Sequence, residues 1–317
     1  MQAVILAAGK GSRLHPITTN RSKAMLPILG KPIVERVMED LAANGVDEFI
    51  LVVSPDDRQI THHFRRDAEL QAEVRFVYQP QRLGMANALS CAAPLIQGDF
   101  ILSACDNLTS ATQVATLLEA WRKPPPAAAV LALMHISPEQ VSSAGIVAMD
   151  GEWVTRIVEK PQPADAPSDI ASLPLYCLPQ SLLDYLPEVR PSPRGEYELQ
   201  DAIQMLIERQ GRVRGVILNS RLVLTSPADL LAINRHYLVE GNHLPQIQPQ
   251  RVGANTKLVT PLYIETGVVI GRDCVIGPNV YIERDCNIGD GARLRDAIVL
   301  RGTVVAAGAD LRDQVVS

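Results

Sequence analysis

Residues 6–16 read LAAGKGSRLHP, and they close the apolar run AVILAA (3–8) near the start of the chain. Six successive apolar residues with no polar face predict a strand buried on both sides, as in a parallel sheet. The run stops at two glycines one residue apart, Gly9 and Gly11, followed by Arg13 and a proline. Glycines at such a point let the backbone come close to an anion, and an arginine adds a planar, permanently charged fork for phosphate oxygens. The spacing lacks the Lys-Ser/Thr pair of a P-loop and the third glycine of a dinucleotide fold. From these residues alone the stretch is either a tight structural turn or a cradle for phosphates.

Outward from it, the chain alternates. KPIVERVMEDLAANG (31–45) sets Ile33, Val34, Val37, Met38 and Leu41 on one helical stripe, with Pro32 to open the helix and Gly45 to end it. FILVVS (49–54), VRFVY (74–78) and FILSA (100–104) read as strands, spaced by helical stretches such as 112–121. This rhythm predicts an α/β fold, a mostly parallel sheet with helices on both faces and a ligand at the carboxyl ends of its strands. After residue 122 the connectors RKPPPAA, EKPQPADAP and PEVRPSPRG are rich in proline, so longer loops are expected. Two helices follow, over 197–209 and 226–238, the second with Ser226 as N-cap, Pro227 at its first position and Asp229 two residues on.

The last 66 residues carry a different period. Every sixth position from Val252 to Ala306 is apolar, and nine of these ten positions are Val, Ile or Leu. A second apolar series, from Leu262 to Val304, stands four places after each anchor from Leu258 to Leu300. A six-residue period fits neither a helix nor a simple strand and predicts a solenoid of short strands and tight turns.

Composition bounds the function. With 47% hydrophobic and 21% charged residues and a net charge of −5, the chain reads as a globular protein without a basic surface for nucleic acid. The first apolar run is too short for a membrane span or a signal peptide, and five scattered cysteines without a C-x-x-C pair fit reduced thiols. A cytoplasmic location is expected.

The stretch LAAGKGSRLHPITTNRSKAMLPILGKP (6–32) resembles the signature of the sugar-phosphate nucleotidyltransferases, L-A-A-G-x-G-[ST]-R-L-x-P-x-T followed by K-x-[ML]-[LV]-P-[IV] and K-P. Weaker likeness continues to about residue 240, and the tail resembles the hexapeptide-repeat, left-handed β-helices, with three hexads to a coil. The resemblance implies a Rossmann-like nucleotidyltransferase domain over 1–241 and a short β-helix over 252–317. It also implies a reaction of a nucleoside triphosphate, UTP or dTTP, with a sugar 1-phosphate, giving an NDP-sugar and pyrophosphate.

Further expectations follow from the same likeness, residue by residue. Leu6, Ala8, Gly9 and Gly11 would line the nucleotide, with Arg13 and Lys23 as catalytic cations on its phosphates. In YQPQRLGMANA (78–88), Gln79 would pair with a pyrimidine edge and Gly84 would let the base stack on the backbone, although Met85 departs from the common Thr or Leu. In FILSACDN (100–107), Asp106 would hold Mg²⁺, although Cys105 stands where the family has glycine. SAGIV (143–147) and TRIVEKP (155–161) would bind the sugar phosphate through Gly145, Glu159 and Lys160, with Lys160 also catalytic. RGEYELQDAI (194–203) offers Asp201 as the second metal carboxylate, with Gln200 in place of Thr, and NSRL offers Asn219 as the alternative. Ser172 and Pro174 replace the usual Asn or Ala and Gly, and Val223 and Thr225 replace an Asp and a Gly. Those departures raise a second reading, a catalytically quiet sugar-nucleotide-binding subunit. A third, a bifunctional acetyltransferase, is disfavoured because no histidine follows His243. A β-helix with an open end is expected to pack on its own domain or on another subunit, so a homo-oligomer is expected.

Overall fold

A computed structural model describes residues 1–240 and 247–317, and the chain divides into two compact units. The first comprises Met1–Gly9 and Val34–Arg221, the second Lys10–Ile33 and Leu222–Ser317. This differs from a division between residues 241 and 252, because residues 10–33 and the helix Pro227–Glu240 belong with the C-terminal strands. Residues 241–246 of that expected connector lie outside the described residues.

The first unit is built on a nine-stranded mixed sheet. Its strands are β1 (Gln2–Leu6), β2 (Glu48–Val53), β3 (Glu73–Tyr78), β4 (Phe100–Ala104), β5 (Ala129–His135), β6 (Gly145–Asp150), β7 (Trp153–Glu159), β8 (Ile170–Leu178) and β9 (Val213–Ile217). They lie in the order β3-β2-β1-β4-β8-β5-β9-β7-β6. β1 to β4 are mutually parallel where they pair, β8 runs antiparallel to β4 and β5, and β9 is parallel to β5. The carboxyl ends of β1, β2, β3, β4, β5 and β9 therefore share one edge of the sheet. Val4, Ile5, Leu51, Val52, Ile101 and Leu102 are almost wholly buried, as continuous apolar strands require.

The helices are α1 (Ile33–Ala42), α2 (Arg58–Arg66), α3 (Met85–Ala92), α4 (Ala111–Arg122) and α5 (Leu199–Gln210), of which α1, α4 and α5 fall where the sequence places helices. Ile33, Val34, Val37, Met38 and Leu41 of α1 are all buried. Burial of side chains of this size stabilises by about 1.5–3 kcal/mol each. Pro32 does not open the helix; it ends a short hairpin, pairing with Pro27, and α1 starts one residue later. α4 begins on a reciprocal cap in which Ser110 and Gln113 bond each other's backbone N–H.

One irregularity shapes the sheet. β8 pairs with β4 from Leu175 to Leu178 and with β6 from Ile170 to Ser172. The end of β4 and the start of β6 thus occupy one lane beside β8, separated at Leu173–Pro174. On its other side β8 pairs Ser172 with Leu133 and Tyr176 with Leu131, so a bulge lies between them. Pro174, which has no N–H to give a ladder, sits inside that bulge.

In the second unit the tail forms two parallel sheets, one of four strands and one of six, the latter joined through the long strand Arg293–Val299. Val252 pairs with Ile270, Leu258 with Ile276 and Ile264 with Ile282, each partner eighteen residues on, which is three hexads per coil. The register then shortens by one residue, so that Ile288 pairs with Val305 and Ile282 with Val299. The six-residue series accordingly holds to Leu294 and no further. Val299 and Val305 face inward, whereas Val304 is 74% exposed and Ala306 is exposed. Left-handed turn residues recur in columns: Asn255, Asp273, Gly291 and Gly308; Gly267, Asp285 and Gly302; Asn279, Asp296 and Asp313. Gly, Asn and Asp are the residues that enter this conformation at least cost. The helix α6 (Pro227–Glu240) packs on strands 293–299 and 310–316. It starts at Ser226, whose Oγ accepts the Asp229 N–H while the Asp229 carboxylate accepts the N–H groups of Thr225 and Ser226.

Candidate active site

Five sequence-predicted positions follow carboxyl ends that share the sheet edge. Ala8 and Gly9 follow β1, Gln79 follows β3, Asp106 follows β4 and Asn219 follows β9. Leu6 ends β1, and its carbonyl accepts the Cys105 N–H at 3.2 Å, which ties the first and fourth strands where both run out. Gly9 is exposed, and an added Cβ there would meet no protein atom within 4 Å. That space beside bare backbone suits a ligand that touches the main chain. The preceding carbonyl, of Ala8, accepts a 2.7 Å bond from Arg82 Nε, and Arg82 also reaches Ser54 Oγ at 2.9 Å. Arg82 lies in the quoted segment 78–88 but carries no motif signal; only the fold reveals it as the clamp on this turn.

Gln79 is buried, and its Nε2 bonds the Gly84 carbonyl at 3.2 Å and Asn87 Oδ1 at 2.9 Å. Its side chain is thereby oriented before any base arrives. Gly84 takes φ +104, and a Cβ there would stand 2.5 Å from the Tyr197 carbonyl oxygen. The structure thus requires glycine at this position for the passing backbone of residue 197, a reason other than base stacking. That backbone is locked by Tyr197 N–H to Leu83 O at 2.7 Å and Ala86 N–H to Tyr197 O at 3.0 Å.

The sugar-side candidates converge where β6, β7 and β8 meet. Gly145 pairs in register with Glu159 on one side and with Ser172 on the other. A Cβ on Gly145 would lie 3.0 Å from Glu159 Oε2 and 3.3 Å from Gln200 Nε2. Both Glu159 Oε2 and Gln200 Oε1 are buried without a hydrogen-bond partner. Buried polar atoms are otherwise almost always paired, so an unpaired pair at one spot marks a place for polar ligand atoms. Burial pushes the Glu159 carboxyl above its ordinary value, with Glu198 adding to this while Lys160 and Arg194 oppose it. Lys160 Nζ lies 3.3 Å from Glu159 Oε1, and its backbone is held at φ +45 by a bond to the Ala144 carbonyl. Non-glycine residues in this region are uncommon and concentrate at functional sites.

Tyr176, fully buried, bonds Ser172 Oγ at 2.5 Å across the bulge and is electrostatically coupled to Glu159 and Arg221. Arg221 is coupled in turn to Asp106; burial lowers its pKa, and its Nε has no partner. The motif N-S-R-L therefore brings its arginine to the strand-end carboxylate. Asp201, by contrast, stands exposed in the first turn of α5, where partial desolvation and Glu198 raise its pKa against Arg194. Asn219, exposed, lies two residues before Arg221.

The remaining candidates belong to the second unit. Gly11, at φ +65, starts the short turn Ser12–Leu14, and a Cβ on it would come within 3.0 Å of Lys23 Cβ. The glycine lets Lys23 pack beside the turn. Arg13 is exposed and Lys23 half-buried.

Among the described residues no group of three or more His, Cys, Asp or Glu could hold a metal by itself. Mg²⁺ needs less, one or two carboxylates with phosphate oxygens and water completing its shell. The half-buried Asp106, all-oxygen and at a strand end, fits that donor set. No helix among the described residues is long and apolar enough to cross a membrane.

The nucleotidyl transferase family pattern matches residues 2–221, and the GMPPB C-terminal domain pattern matches residues 258–317. The chain is 27% identical over 328 residues to the bifunctional protein GlmU of Methanococcus maripaludis strain S2, covering 96% of this chain and 74% of that one. It is 32% identical over 213 residues to the UTP–glucose-1-phosphate uridylyltransferase AglF of Haloferax volcanii, covering 67% and 85%. Among solved structures, the UDP-glucose pyrophosphorylase of Acinetobacter baumannii matches with a TM-score of 0.67 at 26% identity, over 77% of this chain and 95% of that one. With a family pattern that spans more than two thirds of its length, the chain belongs to the sugar-phosphate nucleotidyltransferases.

Proposed function

We propose that this nucleotidyltransferase joins UTP to a hexose 1-phosphate, glucose 1-phosphate first among them, and uses Mg²⁺. The observation that carries the sugar half is the unpartnered Glu159 Oε2 and Gln200 Oε1 against Gly145, beside Lys160. A carboxylate and an amide oxygen accept hydrogen bonds from sugar hydroxyls, and the neighbouring ammonium suits the phosphate. The preference for UTP rests on the relatives named above and on the amide of Gln79 at the carboxyl edge.

In the reaction a phosphate oxygen of the sugar 1-phosphate attacks the α-phosphorus of the triphosphate in line. A new P–O bond forms as the bond to the bridging oxygen breaks, and pyrophosphate leaves with that electron pair. No covalent intermediate or side-chain base is needed, so the residues position and neutralise. Lys160 would hold the incoming phosphate, and Arg13 and Lys23 would neutralise the triphosphate. Gly9, with Leu6, Ala8 and Gly11, would present backbone to it, and Arg82 keeps that turn in shape. Mg²⁺, when bound, supplies charge neutralisation at the reacting phosphates. Asp106 would hold it, with Asn219 as its second ligand in preference to Asp201, because Arg221 brings the Asn219 segment toward Asp106.

Two of the departures from the family pattern have structural accounts, which favours an active enzyme over a quiet subunit. Pro174 occupies a bulge, and Thr225 serves the cap of α6. A cytoplasmic, self-associating enzyme completes the proposal, and sedimentation tests the association. The deciding experiment is pyrophosphate release from a grid of nucleoside triphosphates and sugar 1-phosphates with Mg²⁺. The expected result is turnover with UTP and glucose 1-phosphate that drops about 100-fold or more in Asp106→Asn. N219A should raise the Mg²⁺ needed for half-maximal rate, and D201A should leave it unchanged. Turnover restricted to another pair would reject the substrate assignment, and none at all the catalytic one.

A further inference from the structure

The second unit contains both the loop 10–33 and the β-helix, and the two are pinned together at each end of the segment that bears Lys23. On one side Arg21 forms a two-bond fork with Glu283, Nη1 to Oε2 at 3.0 Å and Nη2 to Oε1 at 2.8 Å. Both side chains are nearly out of solvent, 15% and 8% exposed. Glu283 is itself fixed, since its Oε2 also accepts the Arg301 N–H at 2.8 Å. On the other side lies the hairpin Pro27–Ile28/Lys31–Pro32, whose turn places Leu29 at φ +45 and Gly30 at φ +81. Two positive φ values are what the type I′ hairpin turn demands, and a leucine adopts one only under constraint. The constraint is visible. Asn234 Oδ1 accepts the Leu29 N–H at 3.0 Å, and the buried Tyr281 hydroxyl accepts the Gly30 N–H at 3.2 Å while donating to Glu265 at 2.5 Å.

Between the anchors, Lys23–Met25 forms a single tight turn, with Met25 N–H bonded to Ser22 O and Leu26 N–H to Lys23 O. Lys23 in turn packs its Cβ toward Gly11, two residues before Arg13. Displacement at Arg21 therefore passes to Lys23 through the backbone of a single residue, Ser22. Placement errors of about 1 Å can cost on the order of 100-fold in rate. A largely buried charge pair is also an expensive way to hold an ordinary surface loop, because removing one partner strands the other.

We propose that Glu283, a residue of the β-helix, is a positioning residue for Lys23 and Arg13, so that the C-terminal coils set the nucleotide half of the reaction. This rests on the reading that those two cations serve the triphosphate.

The test is steady-state kinetics of the full chain as wild type, E283Q, R21M and the double variant, with UTP and glucose 1-phosphate varied in turn. Calorimetric titration of UTP alone is run beside it. Each single substitution is expected to lower kcat about tenfold or more and to weaken UTP binding, with the KM for glucose 1-phosphate changed less than about twofold. The double variant is expected to be no worse than the worse single one, since the pair acts as a unit. Unchanged kcat and UTP affinity, equal losses for both substrates, or multiplied losses in the double variant would overturn the proposal. Should E283Q fail to fold, E283D, one methylene shorter, carries the same expectations. If the wild type turns over no pair, the functional reading has failed. The UTP titration then decides the positioning role alone, with about tenfold weaker binding in E283D supporting it and equal binding overturning it.

Discussion

Glu159 is asked to stay ionised while losing most of its water, and burial has moved its carboxyl above the ordinary range. A carboxyl with a raised value picks up its proton at a higher pH than a free glutamate does. Protonation removes an acceptor, so the KM for the sugar 1-phosphate is expected to begin rising on acidification above the range where free glutamates titrate. A pH series of initial rates at saturating UTP checks this. E159Q, which keeps the shape and one acceptor, is expected to lose about tenfold in kcat/KM for the sugar phosphate at pH 7 and to lose the pH dependence with it. Gly84 tests a different residue-scale claim. At φ +104, with the Tyr197 carbonyl 2.5 Å from where a Cβ would stand, Gly84→Ala has neither conformation nor room. It is expected to cost about 3 kcal/mol of stability, measured by denaturant unfolding, because the backbone at residue 197 must move. Binding of a base would not by itself produce that loss, so the variant separates the structural reason for this glycine from the functional one.

At the scale of elements, what the sequence made legible follows a physical divide. Strands with unbroken apolar runs and helices with a clear stripe were readable, because burial of those faces is a local property of the residues. The end of β1 was readable because glycine marks the end of such a run, whereas Asp106, Gly145 and Glu159 stood out only through the family resemblance of their segments, since a lone strand-end carboxylate or an adjacent acid and base has an ordinary surface reading. The bulge at Leu173–Pro174 was not, since only the competing registers of β4 and β6 against β8 create it. Neither was the one-residue shortening after Leu294, because both Val304 and Val305 are apolar and period alone cannot choose between them. Arg82 and Arg221 escaped notice for a related reason: their partners are distant in sequence. The cap of α6 was legible, and it carries a prediction. Burial would raise the Asp229 carboxyl, but hydrogen bonds from Thr225 and Ser226 outweigh it and hold the group below its ordinary value. Its stabilisation is then complete above the unfolded value near pH 4 and is lost as pH falls through the lower folded value. D229N is expected to cost about 1 kcal/mol at pH 7, with the gap to wild type closing below pH 4, as read from urea midpoints across pH.

For the molecule as a whole, the titrating carboxyls divide unequally between stabilising and destabilising roles. Glu152 and Glu188 are held low by the side chains of Lys123 and Arg209, and Asp290 by the backbone N–H and then the side chain of Arg272, all surface contacts. Exposed pairs of this kind contribute little. Those held high are desolvated, and one of them is Asp40, pushed up to about 7 by burial and by Glu39, against a backbone bond from Ala111 and the charge of Arg36. Asp40 lies near the end of α1, next to where Asn44 Nδ2 bridges the Asp40 and Ala111 carbonyls at 2.9 and 2.8 Å. The sign follows from proton counts. Between the unfolded value near 4 and the folded value near 7 the native chain binds more protons than the unfolded one, so stability falls as pH rises through that window and is flat above it. With partial solvent access to the carboxyl, the loss is on the order of 2 kcal/mol. Asp40→Asn removes the charge while keeping an acceptor for the Ala111 N–H. It is therefore expected to raise the melting temperature at pH 8 by a few degrees, to leave it near the wild-type value at pH 4, and to flatten the profile between. Parallel profiles for the two proteins would mean that Asp40 ionises in the folded chain as it does in the unfolded one, and the pH dependence would then be sought in carboxyls such as Glu159, Asp201 and Glu265, which burial also holds high.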